Sequence, residues 1–234
     1  MNLKILDNKI KTQYLGFLFI YLIILGLTVI LELFENNFFK RFIGELNPIA
    51  AILISGILGG LLLFFLLLKK WFAICKKENL KKAISYSWLV VLFVSVSIII
   101  DWNITYPKEM NIPFPEALLF YPVIGFFVEV IFHVLPITML LILTTSIFTK
   151  TSVNKLIWIS ILIVSAFEPT YQVFFMDFSP IWSMIVLWVN LFLFNLTQLI
   201  IFKQFDFVSM FLFRIIYYIL WHVIWGYFRL EILF

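Results

Sequence analysis

The chain has 234 residues, of which 64% are apolar, 20% aromatic and only 13% charged, with a formal charge of +4. Soluble domains are about half apolar and a quarter charged, so a water-soluble core is excluded and a polytopic membrane protein is implied. No basic stripe interleaved with aromatics stands on a soluble module, which excludes a nucleic-acid binder, and the lone Cys75 excludes an intrachain disulfide or a cysteine-held metal cluster.

The basic start "MNLKILDNKIKTQ" leads into an apolar run over 14–34, too long for a signal-peptide core and without a small-residue cleavage site. It reads as a retained first span. Further runs fall at 48–68, 84–100, 117–148, 156–175, 181–202 and 207–230. With about 20 residues needed per crossing, they predict an all-α bundle of about seven transmembrane helices, a single membrane domain over 1–234 embedded in the lipid bilayer. In the second run, "LISGILGG" pairs Ser55 with Gly59 and Gly56 with Gly60, the spacing that lets helices approach closely. The lysine pairs of "KKWFAICKKENLKKAIS" anchor the next loop at anionic headgroups, and Cys75 beside them is incidental. "DWNITYPKEMNIPFPE" is a proline-bearing segment on the opposite side. Twelve cations fall on the side of the first residue and four on the other, which predicts that end inside and the last residue outside.

Ionisable side chains interrupt three of the runs. The fourth, the longest, contains Glu129 and His133 in "FFVEVIFHVLPITMLL"; the fifth has Glu168, Pro169 and Gln172; the seventh has Arg214, Tyr217, Tyr218, Trp221 and His222. Each buried charge costs a few kcal/mol in the bilayer even on the gentlest scale, so these groups must face one another or a watery cavity. Spacing of four residues puts Glu129 with His133, and Glu168 with Gln172, on shared helix faces, while Arg214, Tyr218 and His222 follow one stripe. Pro136 and Pro169 free carbonyls within a turn of these groups, as in the wall of a polar pocket or at an ordinary kink. Asn190, Asn195 and Gln198 in the sixth run read as interhelical hydrogen-bonders. Tyr217, Tyr218, Trp221 and Trp225 read as a packing stripe or an aromatic substrate wall.

Two carboxylates and two imidazoles from three helices form a donor set for a divalent metal such as zinc. The ligands would be His133, His222, Glu129 and Glu168, with Glu129 or Glu168 as the carboxylate that moves a proton of activated water, and Gln172, Arg214 and Tyr218 in support. The same residues also suit a hydrogen-bonded cluster that fastens the helices, a bis-histidine haem site using His133 and His222, or a transporter's proton path.

At these residues the chain resembles the CAAX-protease and bacteriocin-processing (CPBP, or Abi) family of intramembrane metalloproteases over about 117–230. The family pattern is Glu-Glu-x-x-x-Arg, then Phe-x-x-x-His, then His-x-x-x-Asn or Asp, on successive membrane helices. "VEVIFHV" resembles the first motif with Glu129 at its second glutamate, Val128 at its first and His133 where arginine is expected. "SAFEPTYQ" falls at the second with Gln172 for histidine, and "YYILWHVIWG" looks like the third, keeping His222 with Gly226 for Asn or Asp. The resemblance implies a metallohydrolase of the prokaryotic cell membrane acting on a membrane-borne peptide or lipid-linked substrate, or a non-catalytic scaffold or immunity-type protein of the same fold.

Overall fold

A computed structural model describes residues 3–34, 38–175 and 180–234. Among these residues the chain forms seven principal helices: α1 (Leu3–Glu32), α2 (Pro48–Leu68), α3 (Trp88–Ile104), α4 (Glu116–Ile147), α5 (Val153–Phe174), α6 (Ile181–Gln204) and α7 (Phe207–Ile232). Six are long and apolar enough to cross a membrane; α3, with 17 residues, is a shorter apolar helix. Among the described residues there is no strand. This is an all-α bundle of the integral membrane class, as the hydropathy pattern predicts. The third run begins later than expected, at Trp88, because residues 80–85 form a separate short turn of helix.

Local chemistry sets the helix starts. Asn47 accepts a hydrogen bond from the Ala50 amide with Pro48 in the first turn, and Asp206 accepts one from the Ser209 amide at the start of α7. Proline shapes the interiors. The helical ladder of α5 breaks at Ser165 and Ala166, where Pro169 cannot donate to the Ser165 carbonyl. In α4 a π-helical stretch, Glu129–Val134, ends immediately before Leu135 and Pro136, and a second, Ile219–Trp225, lies in α7.

The small residues of α2 are used as the spacing predicts. A Cβ on Gly56 would collide with the Tyr21 ring of α1, and one on Gly59 would stand 2.8 Å from Val130 of α4. Gly56→Ala is therefore expected to destabilise the bundle by about 1–3 kcal/mol through overpacking. Thermal unfolding in mild detergent measures it, with Gly26→Ala, where nothing lies within 4 Å, as the neutral control.

The loop after α2 closes one end of the bundle. Lys70 and Trp71 donate backbone hydrogen bonds to Leu67 and Leu66, a Schellman ending in which Lys70 takes the left-handed conformation (φ 57°) usually given to glycine. That choice costs about 1 kcal/mol relative to glycine. Residues 72–79 then lie across the start of α7: Phe207 and Val208 donate to the Ala73 and Ile74 carbonyls, and Asp206 accepts from the Lys76 amide and the Asn79 side chain. Gln13 of α1 accepts from the Ile74 amide, and Lys203 donates to the Trp71 carbonyl.

A buried ion pair closes the opposite end. Arg229 donates to both oxygens of Asp101, at 2.8 and 3.0 Å, and to the Tyr106 and Pro107 carbonyls. Trp225 Nε1 and the Tyr106 amide also donate to Asp101. Burial, with the nearby Tyr217 and Asp101, pushes the Tyr106 phenol above its ordinary range, so this loop carries a neutral hydroxyl there.

Candidate functional site

The polar residues of α4, α5 and α7 do meet, and α6 joins them. Arg214 stands at the centre. Its Nε donates to Glu129 Oε1 at 2.6 Å, while Nη1 and Nη2 grip Glu168 as a two-pronged fork at 3.0 and 2.8 Å. Nη1 also donates to the Tyr218 hydroxyl, and Nη2 to Gln198 Oε1 at 2.9 Å and Asn195 Oδ1 at 3.4 Å. Gln198 returns an amide hydrogen bond to Glu129, and Gln172 donates to Glu168 Oε1 at 3.0 Å. His133 Nδ1 lies 2.8 Å from Glu129 Oε2, so beside an ionised Glu129 the ring carries its proton there. His133 Nε2 has no hydrogen-bond partner among the described residues and sits 3.8 Å from Glu168 Oε2.

This centre is closed. Glu129 and His133 are 0% exposed, Arg214 1% and Glu168 4%. Two features bring the helices this near. Gly125, one turn before Glu129, leaves room for the Tyr218 ring and the stem of Arg214, and the π-helical stretch carries both Glu129 and His133. Two carboxylates face one guanidinium, with the His133 ring against Glu129.

The expected set of four metal ligands is not assembled. His222 lies two turns beyond Arg214, roughly 12 Å along the helix axis. Its ring stacks on Tyr121 at 4.3 Å between centroids and meets the edge of Tyr218 at 5.1 Å, while the Arg214 guanidinium covers Tyr218 from 5.6 Å. Tyr121 therefore covers a face of His222. The three remaining residues do not fit a divalent metal as arranged. All four carboxylate oxygens already accept hydrogen bonds, and the guanidinium fills the space between them. A catalytic metal also needs an open coordination position, and Glu129 and His133 are wholly buried with Glu168 nearly so. Among the described residues no group of three His, Cys, Asp or Glu could hold a metal ion.

The supporting residues Gln172, Arg214 and Tyr218 occupy the cluster, Arg214 as its hub rather than as an accessory. Asn190 bonds the Phe93 carbonyl and Ser97, the interhelical role expected of it. Tyr217 bonds Ser97, Trp221 packs edge-on to Tyr106 and Trp225 bonds Asp101, so these aromatics join helices and loop. Gly226 has a steric reason: the Asn111 side chain occupies the space of its missing Cβ. Asp101 and Arg229 are not among the expected site residues, although an acid and a base at the same end of two apolar runs are a signal for them.

An apolar groove of about 730 Å³ opens between α4 and α5. Phe132, Pro136, Ala166 and Thr170 are among its walls, and Phe132 immediately precedes His133.

No family model matches this chain, and no curated protein or solved structure matches it.

Proposed function

We propose that this chain is a non-hydrolysing membrane protein of CPBP-like design, a scaffold or immunity-type protein whose polar centre locks four helices together. The observation that carries this reading is Arg214, which occupies the position of a cation between Glu129 and Glu168 and uses their lone pairs. Burial of the cluster supports it, because hydrolysis needs water and substrate at the same atoms.

A second reading, the intramembrane metalloprotease or metallohydrolase implied by the resemblance, draws on a separate observation. Both histidines lie on π-helical stretches, a distortion frequent at functional sites. It requires Arg214 to withdraw from the two carboxylates. Purified protein equilibrated with zinc, manganese and ferrous iron, then freed of unbound metal, separates the two. The scaffold reading expects metal far below one ion per chain, unchanged in Glu129→Gln. One ion per chain, lost in Glu129→Gln and His133→Ala, would replace it with the enzymatic reading.

A further inference from the structure

The two ends of the bundle differ in charge. At the end where α2 stops and α7 starts, Lys69, Lys70, Lys76 and Lys81 are exposed on the loop, with Lys9 and Lys11 on α1 a turn before Gln13. Among the described side chains there, Glu78 is the one exposed acid. The other acid, Asp206, is 1% exposed and spends its oxygens on Lys76 N, Asn79, Ser209 N and the Ser209 hydroxyl. Its charge is turned inward. At the opposite end Lys40 pairs with Glu45 and Arg229 with Asp101.

The loop that bears these lysines is built. Phe72 and Ile74 are buried beneath it, and the hydrogen bonds to α1, α6 and α7 hold its backbone. Lys70 is the telling residue. The chain has a lysine in a left-handed conformation where glycine would be more stable, and its ammonium group stands exposed beside that of Lys69. Beyond Lys81, Ile84 and Trp88 are 61% and 63% exposed, an apolar edge with an aromatic side chain of the kind found at headgroup depth.

We infer that this loop is a preformed binding face for anionic phospholipids, its lysines meeting lipid phosphates while Ile84 and Trp88 enter the acyl boundary. Preorganisation removes the ordering cost that a flexible polybasic segment bears, so recognition is of a headgroup cluster and not only of general surface charge.

The test is binding of phosphatidylglycerol against phosphatidylcholine to the full chain in mixed micelles, together with the unfolding midpoint in each. Wild type is expected to prefer phosphatidylglycerol and to gain stability from it, and the gain should shrink in high salt. Lys70→Gln, Lys76→Gln and Lys81→Gln together should lower the preference on the order of a hundredfold, at about fivefold per lysine. Lys70→Gly should raise the midpoint in phosphatidylcholine while weakening phosphatidylglycerol binding, a split that a purely structural lysine would not give. Lys40→Gln with Lys108→Gln, at the other end, should leave the preference intact. Inorganic phosphate should not reproduce the stabilisation; if it does, the ligand is free phosphate and the lipid proposal falls. It also falls if wild type shows no preference, or if the triple variant keeps it.

Discussion

Arg214→Met is expected to be the most damaging single substitution in the bundle. It leaves Glu129 and Glu168, 0% and 4% exposed, without their cation in a lipid-embedded core. Breaking a buried pair by removing one partner costs about 3–5 kcal/mol, because the remaining charge stays uncompensated. Thermal or denaturant unfolding in mild detergent reads the loss. Adding Glu129→Gln and Glu168→Gln to Arg214→Met should recover most of it, since the penalty lies in the stranded charges and not in the missing side chain. Arg214→Lys should recover little, because an ammonium group cannot fork across Glu168 while reaching Glu129, Gln198 and Tyr218. In a metallohydrolase with an accessory Arg214, the methionine variant would instead fold normally and lose only activity.

The second large effect is expected at the other end. Arg229→Met leaves the Asp101 carboxylate with Trp225 Nε1 and the Tyr106 amide as its donors among the described residues, and it removes the donor to the Tyr106 and Pro107 carbonyls. The stability loss should again be about 3 kcal/mol. Its signature differs, however. The segment after α3 is tied to α7 through this guanidinium, so limited proteolysis should cut near residues 105–112 in the variant and spare them in Arg214→Met. Asp101→Asn should also destabilise, because Trp225 Nε1 and the Tyr106 amide donate to different oxygens and the carboxamide nitrogen would meet N–H donors in place of one of them.

Hydropathy made the architecture legible because in lipid it is nearly the whole determinant of where helices lie. The seven runs correspond to α1–α7, and Gly56 and Gly59 sit at the close approaches that their spacing suggested. The cluster was legible in part for a related reason. Glu129, His133, Glu168 and Arg214 are too costly in lipid to stand apart, so their convergence follows from the expense of isolation. Which partner each would choose does not follow. Spacing puts residues on a face but does not tell whether a carboxylate accepts from a metal or from an arginine, and here the long side chain of Arg214 reaches both acids. His222 misled because a stripe of i and i+4 positions spreads along the axis: Arg214 and His222 share a face but not a depth. Gln198 was read as ordinary helix-to-helix bonding, yet it completes the shell of Glu129 and Arg214. The pairing of Asp101 with Arg229 was hidden because each lies at the margin of its run, where a charge ordinarily meets water.

Metal and arginine compete for one place, the space between Glu129 and Glu168. Anomalous diffraction from crystals grown in lipid and soaked with zinc and with manganese looks at that place directly. A guanidinium bonded to both carboxylates, with no anomalous peak within about 2.5 Å of their oxygens, is the expected result. A peak there, with Arg214 turned away and His133 Nε2 in its coordination shell, would contradict the cation role assigned to Arg214.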